Sequence, residues 1–189
     1  MAFELDKKNC LSKTDKSKKG DIDLHIRKLC DTINALPNFY TTSSCSGRTV
    51  LISVPASGRK QDSEWMLCSH DPVSIKQVNS ALSTLKQEDI WFRFEPPILH
   101  VCAKTIDNAG ALLNIVYSLG FKRSGIMSVG KKNVIEMMAT ERIDCPVVKG
   151  GKKLIDDDYL ELLVNEANKK LAAGHAKIGK VTKALMQSR

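Results

Sequence analysis

The chain has 189 residues and a formal net charge of +8, from 29 Lys and Arg against 21 Asp and Glu. That length carries one substantial domain, or a domain with a helical appendage. No stretch is apolar over the length of a membrane span, and the start MAFELDKKNC has no secretory apolar region, which points to a cytoplasmic protein with no membrane partner.

In chain order, the first predicted element is a helix over about Asp21 to Leu36, with Ile22, Ile26, Leu29, Cys30 and Ile33 at helical spacing and Pro37 at its end. Strand-like runs follow at Phe39–Ser43, Thr49–Val54 and Glu64–Ser69, the last two separated by the polar loop PASGRKQDS. HDPV predicts a helix with Asp71 as N-cap and Pro72 in its first turn, its buried face formed by Val73, Val78, Ala81, Leu82 and Leu85. Two strands, DIWFRFE and ILHVCAK, flank Pro96-Pro97. Thr105 caps the next helix, whose inner face reads Ile106, Ala109, Leu113 and Val116, and Gly120 ends it. Strands over Ser124–Val129 and Asn133–Thr140 flank the turn GKK.

After KGGKK the pattern changes. Leu160, Leu163, Val164, Ala167 and Leu171 predict one amphipathic helix, and Ile178, Val181 and Leu185 a second, basic one. The expected order is α-βββ-α-ββ-α-ββ-α-α. Short connections between adjacent strands indicate an α+β fold, a mixed and largely antiparallel sheet with packed helices and a C-terminal helical pair. The expected division is an α+β core over 1–150 carrying the site and a basic helical extension over 151–189. Gly150-Gly151 is the first linker candidate and Gly174 the second. No glycine-rich loop joins a first strand to a helix, so the fold is not Rossmann-like.

Six cysteines, at 10, 30, 45, 68, 102 and 145, form no CxxC pair and stand at no zinc spacing with histidine, so no metal site is expected. Cys30, Cys68 and Cys102 read as small core residues. Basic residues cluster in three places: Lys7 to Lys19, Lys122 to Lys153, and Lys169 to Lys183. Clustered cations suit a polyanion such as RNA, and equally suit a solvated surface.

The chemistry concentrates in YTTSSCSGR, Tyr40 to Arg48. Strand alternation predicts Thr42, Ser44 and Ser46 on one side and Ser43 and Cys45 on the other. Hydroxyls in line, a glycine turn and the Arg48 guanidinium favour an oxyanion, either a carboxylate or a phosphate. His70, between a strand and a helix start, is a candidate general base. Glu95 and His100 flank the Pro-Pro bend and form a second candidate pair. Ser124 and Gly125 follow a helix end in GFKRSGI.

TTSSCSGR after a helix, then W-x-x-x-x-HD from Trp65, then FxFEP-x-ILHV from Phe92, then GFKRSGI, occur in that order. Together they resemble the wybutosine-synthesis methyltransferase family, the third-step enzymes and their archaeal counterparts, over about Asp21 to Pro146. The resemblance implies a fold unlike the usual methyltransferases. It also implies S-adenosylmethionine-dependent methylation of N4 of a wyosine-type tricyclic guanosine beside the anticodon of tRNA-Phe, with the anticodon stem-loop as partner. Cofactor binding then falls to Ser44, Ser46, Arg48, Trp65, Ser124 and Gly125. His70 or His100 takes the ring N–H proton, and Glu95 orients or shares that role. The Ser44, Ser46 and Arg48 group serves either the methionyl carboxylate or a tRNA phosphate. The competing readings are a non-catalytic tRNA-binding protein using the same pocket and a hydrolase using Cys45.

Overall fold

The structure, a computed structural model, describes residues 2–12, 21–55, 62–83 and 88–187. Leu85, the loop at 56–61 and the basic run from residue 13 to 19 lie outside the described residues. In chain order the elements are α1 (Ala2–Leu11), α2 (Leu24–Asn34), β1 (Phe39–Cys45), β2 (Arg48–Val54), β3 (Glu64–Ser69), α3 (Ile75–Leu82) and β4 (Asp89–Glu95). There follow β5 (Ile98–Ala103), α4 (Ile106–Ser118), β6 (Gly125–Ser128), β7 (Asn133–Met138), β8 (Ile143–Lys149), β9 (Lys152–Lys153) and α5 (Asp157–Gln187). All described strand pairs are antiparallel, as the α+β expectation requires.

The chain divides into two compact units, Met1–Ser46 with Pro97–Thr140 and Gly174–Arg189, and Gly47–Pro96 with Glu141–Ala173. In the first unit the strand order is β1-β5-β7-β6. Leu99 and Val101 of β5 and Ile135 and Met137 of β7 point into one core with residues of α2, α4 and the end of α5. Because side chains alternate along a strand, His100 and Glu136 fall on the opposite face. In the second unit the order is β3-β2-β4-β8-β9. Ile90, Phe92 and Phe94 of β4 are fully buried and pack with Val78 of α3 and Leu160 of α5.

Several expectations are corrected. The C-terminal helical pair is one continuous helix of 31 residues. Gly174 is not a break but a point of close approach: a Cβ there would lie 2.8 Å from Cγ of Pro97. The Gly150-Gly151 linker is instead a hairpin turn, with φ of 54° and 76° and Lys149 paired with Lys152 across it. Positive φ at both central residues is what a two-residue hairpin of this hand requires. Strand β8 lacks a plain strand signature in the sequence because it contains Pro146, which sits where the ladder with β4 shifts register. Ser74, not Asp71, caps α3, through a capping box with Gln77. Ile106 is exposed and Leu112 takes its place in the core, while Cys68 is exposed rather than buried. α1, unforeseen for lack of a strong apolar stripe, buries none of its own residues. It is held by Phe3 against Tyr40, by Lys7 Nζ donating to the Leu36 carbonyl at 2.6 Å, and by the Lys104–Glu4 ion pair at 2.7 Å.

Two predictions follow from packing and charge. The Pro97 ring cannot yield easily, so Gly174→Ala is expected to destabilise by about 1–3 kcal/mol. Gly179→Ala, in the same helix with nothing within 4 Å of its Cβ, is expected to stabilise by about 0.5–1 kcal/mol. Chemical denaturation of both variants checks the opposite signs. For α1, the Lys104 hydrogen bond is the chief cause that lowers the Glu4 pKa from 4.5 to about 2. A depressed carboxylate pKa contributes fully above its unfolded value and is lost as pH falls through the folded one. The docking of α1 is therefore expected to loosen between about pH 4.5 and 2. Amide resonances of Cys10 and Leu11 should shift over that window; no movement before global unfolding would contradict it.

Candidate active-site residues in the two units

In the second unit, Gly47 has φ of 92°, a conformation closed to ordinary L-residues, and the turn leads directly into β2. Arg48 opens β2 opposite Glu95, the last residue of β4. Its Nε donates to Glu95 Oε2 at 2.7 Å, with the two side chains 24% and 34% exposed. The guanidinium carbon also lies 4.3 Å from the centre of the Trp65 ring. A carboxylate on one side and an aromatic face on the other hold a charged group that would otherwise sample many rotamers. His70 Nδ1 lies 3.0 Å from the Gly47 carbonyl oxygen. A carbonyl only accepts, so in neutral His70 the proton sits on Nδ1 and Nε2 is the basic nitrogen.

In the first unit, Ser43 Oγ is 2.8 Å from His100 Nδ1, and His100 Nε2 is 2.9 Å from Glu136 Oε2. The carboxylate that bonds His100 is thus Glu136, and Glu95 bonds Arg48. The reason is strand register, which sets Glu136 opposite His100 and Glu95 opposite Arg48.

The hydroxyl line also differs from expectation. β1 carries an irregularity between Thr41 and Ser43, so Ser43 rather than Thr42 pairs with His100. Thr42 and Ser43 are both exposed, and the simple alternation ends there. Ser46 is fully buried, and both its N–H and its hydroxyl donate to Asp23 Oδ2, at 3.0 and 3.3 Å. The Ser44 hydroxyl bonds the thiol of Cys30. Burial pushes that thiol up to about 11 despite this bond, which leaves Cys30 unreactive. Ser124 donates to the Phe121 carbonyl at 2.6 Å and accepts from the Met138 N–H at 3.1 Å, so its hydroxyl closes the turn before β6. Gly125 opens β6 opposite Glu136.

Asp23, Ser43 and Glu136 are the residues that sequence reasoning missed. Asp23 precedes α2 as its N-cap, yet its side chain makes no capping bond, because it turns to Ser46 instead. An acidic residue at a cap position has an ordinary local explanation, which hides this one.

A family model described as "Methyltransferase TYW3" matches residues 5–187 of the chain. The chain belongs to the TYW3 methyltransferase family. It is 40% identical over 184 residues to a Thermococcus sibiricus protein named "tRNA(Phe) 7-((3-amino-3-carboxypropyl)-4-demethylwyosine(37)-N(4))-methyltransferase", covering 95% of this chain and 92% of that one. A protein of the same name from Archaeoglobus fulgidus is 37% identical over 164 residues, covering 87% and 83% of the two chains. Among solved structures, the PH1069 protein from Pyrococcus horikoshii superposes with a TM-score of 0.88 at 34% identity, over 97% of this chain and 95% of that one. A hypothetical protein from Aeropyrum pernix does so with a TM-score of 0.76 at 26% identity, over 87% and 98%. No helix among the described residues is long and apolar enough to cross a membrane.

For this TYW3 family member, the buried Asp23–Ser46 contact sets a stability expectation. Asp23→Ala leaves a buried N–H without its acceptor and is expected to cost roughly 1–3 kcal/mol, while Asp23→Asn keeps a carbonyl acceptor and costs less. Urea denaturation of the two variants measures the difference, and equal stabilities would contradict the account.

Proposed function

We propose that the chain methylates N4 of a wyosine-type tricyclic guanosine beside the anticodon of tRNA-Phe, with S-adenosylmethionine as the methyl donor and the anticodon stem-loop as the recognised element. The observation that carries the reading is the 40% identity, over nearly the whole chain, to a relative named for that reaction. The groups present suit such ligands. Arg48 offers a guanidinium to a carboxylate or phosphate, and Trp65, 44% exposed, offers an aromatic face for a base. The hydroxyls of Ser44, Ser46 and Ser124 have protein partners within their own unit and brace its backbone.

S-adenosylmethionine supplies an electrophilic sulfonium methyl, and no metal chemistry is needed beside it. The protein's part is to hold the acceptor nitrogen in line and to take its proton. His70, whose Nδ1 faces the Gly47 carbonyl, and His100, whose Nε2 faces Glu136, are the candidate bases for that step. Lys122, Arg123 and Lys131 are exposed and make no ion pair among the described residues, which suits a phosphate backbone.

The test is methyl transfer to tRNA-Phe carrying the unmethylated tricycle, read by mass spectrometry of the nucleosides. Methylation of the ring nitrogen is expected; none, with intact tRNA binding, would overturn the reading. Loss of a charge-assisted contact costs ~1.5–3 kcal/mol. Arg48→Ala is therefore expected to weaken S-adenosylmethionine or tRNA binding about 10- to 100-fold in calorimetry. Unchanged affinity for both would remove Arg48 from the site.

A further inference from the structure

Ser43 on β1, His100 on β5 and Glu136 on β7 are successive cross-strand partners, so their side chains share one face of the sheet. That face is opposite to the one formed by Leu99, Val101, Ile135 and Met137, which are buried. The two hydrogen bonds of the row, at 2.8 and 2.9 Å, run in one direction. An ionised carboxylate can only accept, so His100 Nε2 carries a proton to donate to Glu136. In neutral His100 this leaves Nδ1 as the acceptor, and the Ser43 hydroxyl donates to it. The Ser43 oxygen then keeps its lone pairs for a donor from outside, and Ser43 is exposed. At the far end of the row Gly125 faces Glu136, and a Cβ there would meet nothing within 4 Å. No neighbouring side chain at that position crowds the carboxylate away from His100.

The chain needs such an acceptor. When a ring nitrogen that bears hydrogen is methylated, its lone pair forms the new N–C bond and its N–H proton must leave. We propose that Ser43, His100 and Glu136 form the proton relay for this step. Ser43 Oγ accepts the N–H proton while its own hydroxyl proton passes to His100 Nδ1. Glu136 holds the resulting imidazolium as an ion pair. The sulfonium charge lost on methyl transfer is balanced by the imidazolium charge gained, and water then takes the extra proton. Ser43 is the catalytic residue of the relay, His100 stores the proton, and Glu136 is a positioning residue. This assignment rests on the methyl-transfer reading and deepens it: of the two candidate bases, it selects His100.

The test has two arms. On the free protein, without cofactor or tRNA, 15N chemical shifts of the His100 imidazole report its tautomer. The wild type is expected to show protonated Nε2 and unprotonated Nδ1. Glu136→Gln, whose amide can donate as well as accept, is expected to lose that preference. In the second arm, Glu136→Gln and Ser43→Ala are each expected to lower kcat by about 10- to 100-fold, within the range of general-base catalysis. Dissociation constants for S-adenosylmethionine and tRNA are expected to stay within about twofold of wild type. A side chain that only braced the sheet would not move the tautomer or separate kcat from binding. Protonated Nδ1 in the wild type overturns the relay, and so does wild-type kcat in both variants. Absence of methylation by the wild-type protein also overturns it, by removing the proton to be relayed, but the tautomer measurement then shows that the failure lies in the methyl-transfer reading.

Discussion

A one-residue irregularity in β1 decides which side chain meets His100. Because side chains alternate with period two, shifting register by one residue moves a whole strand's pattern to the other face. At Thr42 the ladder slips, and Ser43 instead of Thr42 stands opposite His100. The cost is one residue out of pairing, whose hydroxyl reaches the His100 carbonyl at 3.3 Å. The gain is a continuous polar row over three strands. Asn34, at the end of α2, supports the slip from the side: its Oδ1 accepts from the Thr41 N–H at 2.7 Å and its Nδ2 donates to Thr41 Oγ1 at 3.0 Å. Bulges that re-aim a side chain are common beside active sites, and here the re-aimed side chain is the one that touches the histidine.

The second unit positions its charged group by a different device. Gly47 takes a positive φ, and its carbonyl receives the His70 Nδ1 proton. The residue after it, Arg48, is held by Glu95 through cross-strand pairing and by the face of Trp65. A long cationic side chain loses substantial rotamer freedom when it binds a ligand. Fixing Arg48 beforehand between a carboxylate and an indole removes part of that loss from the binding step. In the proposed function Glu95 serves by holding Arg48 in place.

The sequence makes the elements legible wherever period and punctuation agree. The α2 and α4 helices, the alternation of β4 and the turn glycine at 120 are examples. It misleads where a breaker residue has a second use. Gly174 lies within α5 because Pro97 needs the space, and Pro146 lies within β8 where its missing N–H meets a shift in register. For the candidate site, the sequence shows residue types and not their partners. His100 and Glu95 attract attention as a pair because they are near in sequence. Their true partners, Glu136 and Arg48, are fixed by cross-strand register between segments far apart in the chain. In NVIEMM, Glu136 looks like the solvent-facing member of a half-buried strand, a correct description that says nothing of its bond to His100.

The hydroxyl cluster of YTTSSCSGR shows the same point chemically. All five Ser and Thr hydroxyls have partners inside the protein: Thr41 with Asn34, Thr42 and Ser43 with His100, Ser44 with Cys30, and Ser46 with Asp23. A surface of waiting donors, as strand alternation suggests, would have carried a desolvation cost at each position once covered. Four of these hydroxyls instead fix the backbone through Asn34, the His100 carbonyl, Cys30 and Asp23. Only Ser43 bonds a titratable ring nitrogen at an exposed position. The density of hydroxyls thus reflects preorganisation of the segment, and the proposed relay draws on the single exposed oxygen that bonds an imidazole.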